Sequence, residues 1–374
     1  MRYRRFGKTE LPLSVFSLGT MRCLKSEADF RQTVAAAVRR GINHLETAQG
    51  YGASERYLGR LLRSGDLGAR SQLYLTTKIP PTPNAEQLAR QIDQSLEHLQ
   101  TDYLDCLALH GINTPEHLQW TQSGCLEVMQ AALADGRVRH IGFSTHGSLE
   151  LILATLQTGY FEFVNLHYYY FFQRHAAAIA LAQQQDLGIF IISPADKGGL
   201  LYTPPSRLKD LCAPYSPLEL TYRWLLSDRR ITTLSLGPAS PDELDWPLTV
   251  ADRDEPLTSA EIAALQQLEQ HQADALGRDR CAQCYECLPC PESIHIPEVL
   301  RLRNLAVAYD MTPYGQYRYG MFENAGHWFA GQKASRCTDC GDCLPRCPES
   351  LDIPNLLRDT HTRLKGPERR RLWG

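Results

Sequence analysis

The chain has 374 residues, 43% apolar and 22% charged, with a net charge of −3 at pH 7, values ordinary for a globular protein larger than one average domain. That charge gives no electrostatic case for a nucleic-acid partner. The opening MRYRRFGKTE is charged and lacks an apolar core, and no run of about 18 apolar residues follows, so neither a secretory signal nor a membrane span or partner is expected, and the cytoplasm is the expected compartment.

In chain order, YRRFGKTELPLSVF reads as a small hairpin. Eight short apolar runs follow as strand candidates: SVFSLG (14–19), INHLE (42–46), LYLTTK (73–78), LDCLALH (104–110), HIGFS (140–144), FVNLH (163–167), GIFIIS (188–193) and TTLSLG (232–237). Amphipathic stretches such as FRQTVAAAVRR, ERYLGRLL, EQLARQIDQSLEHL and CLEVMQAALADGR separate them. Near-continuous apolar strands alternating with helices are the mark of parallel strands covered on both faces. The expected fold is α/β, a (β/α)8 TIM barrel over residues 1–275, in preference to an open sheet.

Active sites on that fold collect at the C-terminal ends of the strands. Position alone therefore singles out Glu46, Lys78, His110, Ser144, His167 and Ser193. Tyr51, flanked by Gly50 and Gly52, lies five residues beyond Glu46 in the loop that opens the next helix. The aromatic run Tyr168–Phe172 reads as a loop packed on the barrel rim, with a stacking wall over a cofactor as the alternative.

Beyond residue 275 the composition changes. CAQCYECLPCPESIHIPEVLR (281–301) recurs as CTDCGDCLPRCPESLDIPNLLR (337–358), and each Ile-Pro falls where a short helix could begin. Residues 276–374 are expected to form a small, mainly α-helical domain. Eight of the 12 cysteines sit in these two runs: Cys281, Cys284, Cys287 and Cys290, then Cys337, Cys340, Cys343 and Cys347. Disulfide scaffolds belong to short secreted chains, so a metal or cluster site is the better reading. A C-x2-C-x2-C triplet with a further cysteine before proline resembles the two-cluster ferredoxin module, in which that last cysteine ligates the other cluster. Two [4Fe–4S] clusters are expected, with Cys347 completing the first and Cys290 the second. Structural zinc, which needs four ligands per site, is the competing reading. The first run closes with two intervening residues and the second with three.

LETAQGYGASERYLG, LTTK, TDYLDCLALH and GFSTHG resemble segments of the aldo-keto reductases, over most of residues 1–245. The resemblance implies a catalytic set of Tyr51, Lys78 and His110, with Glu46 where the family has Asp. A phenol of pKa about 10 is a reluctant acid near neutrality, and a neighbouring ammonium brings it closer to working range. The resemblance further implies nicotinamide contacts from Ser144, from Thr145 in place of the usual Asn, and from Asn165 in place of Gln. It places Ser193 and Gly199 in the loop that wraps the pyrophosphate. In GPASPDELDWP, Gly237, Glu243 and Pro247 stand where the family often has Lys, Arg and Asn around the adenosine 2′-phosphate. That exchange argues against family-style NADPH binding and leaves NADH, weakly held NADPH or no nicotinamide as alternatives.

The expected function is an iron–sulfur oxidoreductase reducing a carbonyl or related small molecule, with electrons from NAD(P)H, the clusters or both, and a ferredoxin-type partner. The alternative is an electron-transfer or redox-sensing protein on a retired reductase barrel. The basic tail RRRLWG is read as a solvated end.

Overall fold

A computed structural model describes residues 1–367, so the basic tail lies outside the described residues. The chain forms two compact units: Met1–Pro194 with Thr221–Pro256, and Ala195–Leu220 with the chain from Leu257 onward.

In the first unit β1 (Tyr3–Arg5) and β2 (Pro12–Ser14) pair antiparallel as the hairpin. The strands β3 (Phe16–Gly19), β4 (His44–Glu46), β5 (Tyr74–Ile79), β6 (Leu104–His110), β7 (Val138–Ser144), β8 (Phe163–Leu166), β9 (Gly188–Ile191) and β10 (Thr233–Leu236) then close a parallel barrel, β10 pairing back onto β3. Each corresponds to one apolar run of the sequence. Two of the intervening helices show how they start, each at a side-chain cap. Ser26 Oγ accepts from the Asp29 N–H at 3.0 Å ahead of helix Glu27–Arg39. Asn84 Oδ1 accepts from the Gln87 N–H at 3.0 Å ahead of helix Ala85–Leu99, which buries Leu88, Ile92 and Leu99.

The hairpin delivers Phe6 to the starts of β8 and β9. Its ring packs 5.3 Å from that of Phe163 in a cluster with Leu13, Cys106, Ala108 and Phe190. A Cβ on Gly188 would lie 2.3 Å from the Phe6 ring, so only glycine fits there. With that end filled, the strand C-termini are left for a site. Tyr168, Tyr169 and Tyr170 are buried, and Tyr168 and Tyr170 lie against Trp224 at centroid distances of 5.1 and 5.8 Å. Tyr168 and Tyr170 of the aromatic run therefore serve packing.

The second unit is helical. Helix Ser259–Leu276 opens with a capping box between Thr258 and Glu261, and Ile296–Tyr309, Thr312–Tyr319 and Ile353–Leu364 follow. Segment 195–220 is fastened inside this unit. Tyr314 donates to the Lys197 carbonyl at 2.5 Å, and Arg207 pairs with Asp310 at 3.2 Å. Gly199 (φ 143°) leaves room for Met311, whose Cε would be 2.6 Å from a Cβ there. Among the described residues no helix is long and apolar enough to cross a membrane.

Candidate active site and cluster loops

Parallel pairing carries the site residues around adjacent strands. Glu46 of β4 is opposite Thr76 of β5, two residues before Lys78, and His110 of β6 is opposite Ser144 of β7, itself opposite Asn165 of β8. Glu46 and Lys78 are buried and form a salt bridge through Glu46 Oε1, which also accepts from Asn165 Nδ2 at 3.4 Å. The Lys78 ammonium lies 4.7 Å from the centroid of the Tyr51 ring, and Tyr51 meets His110 edge-on with centroids 5.7 Å apart. Desolvation alone would lower the Lys78 pKa. The Glu46 carboxylate and the Tyr51 hydroxyl outweigh it, so the net shift is upward and the ammonium is retained.

The remaining predicted residues divide by what their polar atoms already do. Ser144 Oγ accepts from the Gly111 N–H at 3.1 Å. The Thr145 hydroxyl is committed to backbone, donating to the Ile112 carbonyl at 2.8 Å and accepting from the Gly147 N–H at 2.9 Å. Asn165 Oδ1 is buried with no hydrogen-bond partner among the described residues. Ser193 follows β9 with φ 53° in the barrel unit, whereas Gly199 belongs to the second unit.

One chain of groups at the strand ends links His167, singled out by position, to residues given no site role from sequence. His167 Nδ1 is bonded to the Tyr169 hydroxyl, and His167 Nε2 lies 3.0 Å from His146 Nδ1. Tyr169 donates to the Ile192 carbonyl at 2.5 Å, and a carbonyl only accepts. The Tyr169 oxygen must therefore accept from His167 Nδ1–H. In neutral His167 the lone pair on Nε2 then accepts from His146 Nδ1–H. For His146 the signal available in sequence was spacing, two residues past Ser144.

In the second unit the sequence repeat is also a backbone repeat. Gln283 and Asp339 (φ 58° and 57°), Tyr285 and Gly341 (70° and 81°), and Ser293 and Ser350 (55° and 51°) hold matching left-handed places. Turns of this kind aim successive amide N–H groups into anion-favouring concavities. His295 Nδ1 and Asp352 Oδ1 cap the two helices that follow, each accepting an N–H at 3.3 Å. Two recesses result. The first is lined by Cys281, Cys284, Cys287 and Cys347, the second by Cys337, Cys340, Cys343 and Cys290. Each triplet is thus joined by the Cys-Pro cysteine of the other run. Among the described residues no group of three or more His, Cys, Asp or Glu is gathered tightly enough for a single ion. Four thiols lining one recess are the ligand number of a [4Fe–4S] cluster. Burial, with neighbouring thiols adding to it, pushes Cys281 up to about 11 and Cys287 to about 12. Bare, they stay protonated near neutrality; bound iron is what makes such thiols thiolates.

Residues 16–270 match the model of the aldo/keto reductase family, and residues 280–351 that of the 4Fe-4S dicluster domain. The chain belongs to the aldo/keto reductase family. Among its relatives are 6-dehydroglucose reductase of Novosphingobium aromaticivorans, 30% identical over 38% of this chain and 51% of that protein, and L-galactose dehydrogenase of Arabidopsis thaliana, 33% identical over 38% and 47%. The chain spans about half the length of these curated relatives. The holo form of the aldo-keto reductase AKR11C1 from Bacillus halodurans superimposes with a TM-score of 0.62 at 24% identity, over 71% of this chain and 96% of that one.

Where the family often carries cations around the adenosine phosphate, Glu243 of this aldo/keto reductase is already engaged. It accepts from Arg22 Nη1 at 2.8 Å and from the Ala239 N–H at 3.0 Å, while Arg22 also donates to the Gly237 carbonyl at 2.6 Å. The carboxylate expected to face a phosphate is instead half of an ion pair between the loops that follow β3 and β10.

Proposed function

We propose that this protein is an iron–sulfur oxidoreductase whose barrel site, within residues 1–275, reduces a carbonyl or related small molecule with Tyr51 as proton donor. The observation carrying this reading is the buried Lys78, held charged by Glu46 beside the Tyr51 ring. Carbonyl reduction places a hydride on carbon and a proton on oxygen. Bound nicotinamide would supply the hydride, while the clusters of residues 276–374 exchange single electrons with a ferredoxin-type partner. Tyr51 gives its hydroxyl proton to the substrate oxygen, and Lys78 stabilises the phenolate left behind. Glu46 fixes Lys78, and His110, edge-on to Tyr51, orients the substrate oxygen. Ser144 and the unpartnered Oδ1 of Asn165 fit a carboxamide, which offers both a donor and an acceptor. The Arg22–Glu243 pair does not fit a 2′-phosphate, so NADH is favoured over NADPH. The cysteine linings support ligation of one cluster by Cys281, Cys284, Cys287 and Cys347 and of the other by Cys337, Cys340, Cys343 and Cys290.

The names of the relatives refer to reduction of dehydroglucose and dehydrogenation of galactose, consistent with a small carbonyl–alcohol pair. The test is Tyr51→Phe, assayed anaerobically with NADH against a panel of small aldehydes and ketones. A loss of about 10²-fold or more, with iron and sulfide content unchanged, is expected. Undiminished turnover would sink the role of Tyr51. No turnover in the parent protein, with clusters reducible by dithionite, would favour the electron-transfer or sensing alternative.

A further inference from the structure

The two cluster loops share their cysteines, Leu-Pro and Cys-Pro-Glu-Ser, and differ at Ala282/Thr338, Gln283/Asp339, Tyr285/Gly341, Glu286/Asp342 and the inserted Arg346. Glu292 and Glu349 each line one recess, and Asp342 matches Glu286, so these carboxylates balance between the loops. Asp339 replaces Gln283, but its charge is met by Arg358 at 2.5 Å. Arg346 has no counterpart, because it is the single residue by which CLPRC is longer than CLPC. It lines the recess of Cys337, Cys340, Cys343 and Cys290, and the other recess has Tyr285 where this one has Gly341. Its guanidinium is held in place by backbone carbonyls, Nε donating to Asp342 O and Nη2 to Pro289 O, both at 2.9 Å. Those partners fix the group without cancelling its charge.

Resting on the two-cluster reading, we infer that Arg346 makes the clusters unequal in potential, so that the one ligated by Cys337, Cys340, Cys343 and Cys290 is reduced first. Adding an electron makes a cluster more negative, and a fixed cation beside it stabilises that form. The cation also braces the crossover, since Pro289 immediately precedes Cys290 and Arg346 immediately precedes Cys347. An electron entering the module comes to rest on the Arg346 side, and the other cluster acts as the stronger reductant.

The test is an anaerobic redox titration of the holoprotein followed by electron paramagnetic resonance, with iron counted beforehand. Two one-electron couples are expected. Arg346→Gln should move the higher couple down by about tenfold in its reduction equilibrium, about 59 mV for one electron, and leave the lower in place. Arg346→Lys should retain most of the parent value, Glu292→Gln should raise the higher couple, and Glu349→Gln the lower. A shift of both couples alike, of neither, or of the lower alone in Arg346→Gln overturns the inference. Should that variant lose iron, Glu292→Gln decides, because movement of the lower couple would put Arg346 beside the wrong cluster. A parent protein prepared anaerobically that binds no iron would sink the cluster reading itself, a distinguishable failure.

Discussion

Lys78 stays charged in a place where burial alone would neutralise it. Desolvation pulls its pKa down, and the Glu46 carboxylate, with Tyr51, pulls it further up. Because the folded value is raised above the unfolded one of about 10.4, the pair's contribution to stability is fully present below that pH and lost as pH rises through the folded value. Glu46→Gln keeps the length and an acceptor oxygen but removes the charge. Burial then dominates, so Lys78 gives up its proton at lower pH. The expected outcome is an alkaline limb of the pH–rate profile displaced to lower pH, with a loss of about 3–5 kcal/mol in urea unfolding at pH 7, since breaking a buried pair strands its partner. An unmoved limb would detach Lys78 from proton transfer. The longer side chain at position 46 still reaches Lys78, and Asn165 donates to the same oxygen.

At the scale of elements, the barrel depends on a plug at the starts of its strands. Gly188 opens β9 against the Phe6 ring, with 2.3 Å available where a Cβ would need ordinary contact distance. Gly188→Ala is expected to cost about 1–3 kcal/mol by overpacking, and less in a Phe6→Leu background, where the ring is gone; thermal unfolding of the four proteins of that cycle reads the coupling. Equal costs in both backgrounds would mean that Phe6 is not what the alanine strikes. The strands and hairpin were legible because apolar runs and turn residues are local signals, and the recurring cysteine spacing was equally visible. Boundaries were less so: β7 begins at Val138, two residues ahead of the apolar run, and β4 only at His44. Glu46, Lys78, Tyr51 and His110 could be listed from motifs, but not the sharing of Glu46 Oε1 between Lys78 and Asn165. The His146–His167–Tyr169 chain and the Arg22–Glu243 pair join different loops, the latter across 221 positions, and no periodicity encodes such contacts.

At the scale of the whole molecule, residues 195–220 of the connection after β9 belong to the cluster-bearing unit rather than to the unit that contains β9. Tyr314, Met311 and Asp310, which hold Lys197, Gly199 and Arg207, all follow helix Ile296–Tyr309, whose N-terminal residues line both cysteine recesses. Ile296 lines one recess, and Pro297 and Leu300 line the other, so cluster loss leaves the start of that helix facing empty space between bare thiols. A helix so placed takes its order from the groups packed on it, as most helices in proteins do. Removing the clusters with an oxidant and a chelator is therefore expected to loosen residues 195–220 together with 281–350, while the rest of the barrel stays folded. Limited proteolysis before and after removal, read by mass spectrometry, should show new cuts in both segments and a resistant fragment within residues 1–194. Cuts confined to 281–350 would mean that segment 195–220 is held without help from the clusters.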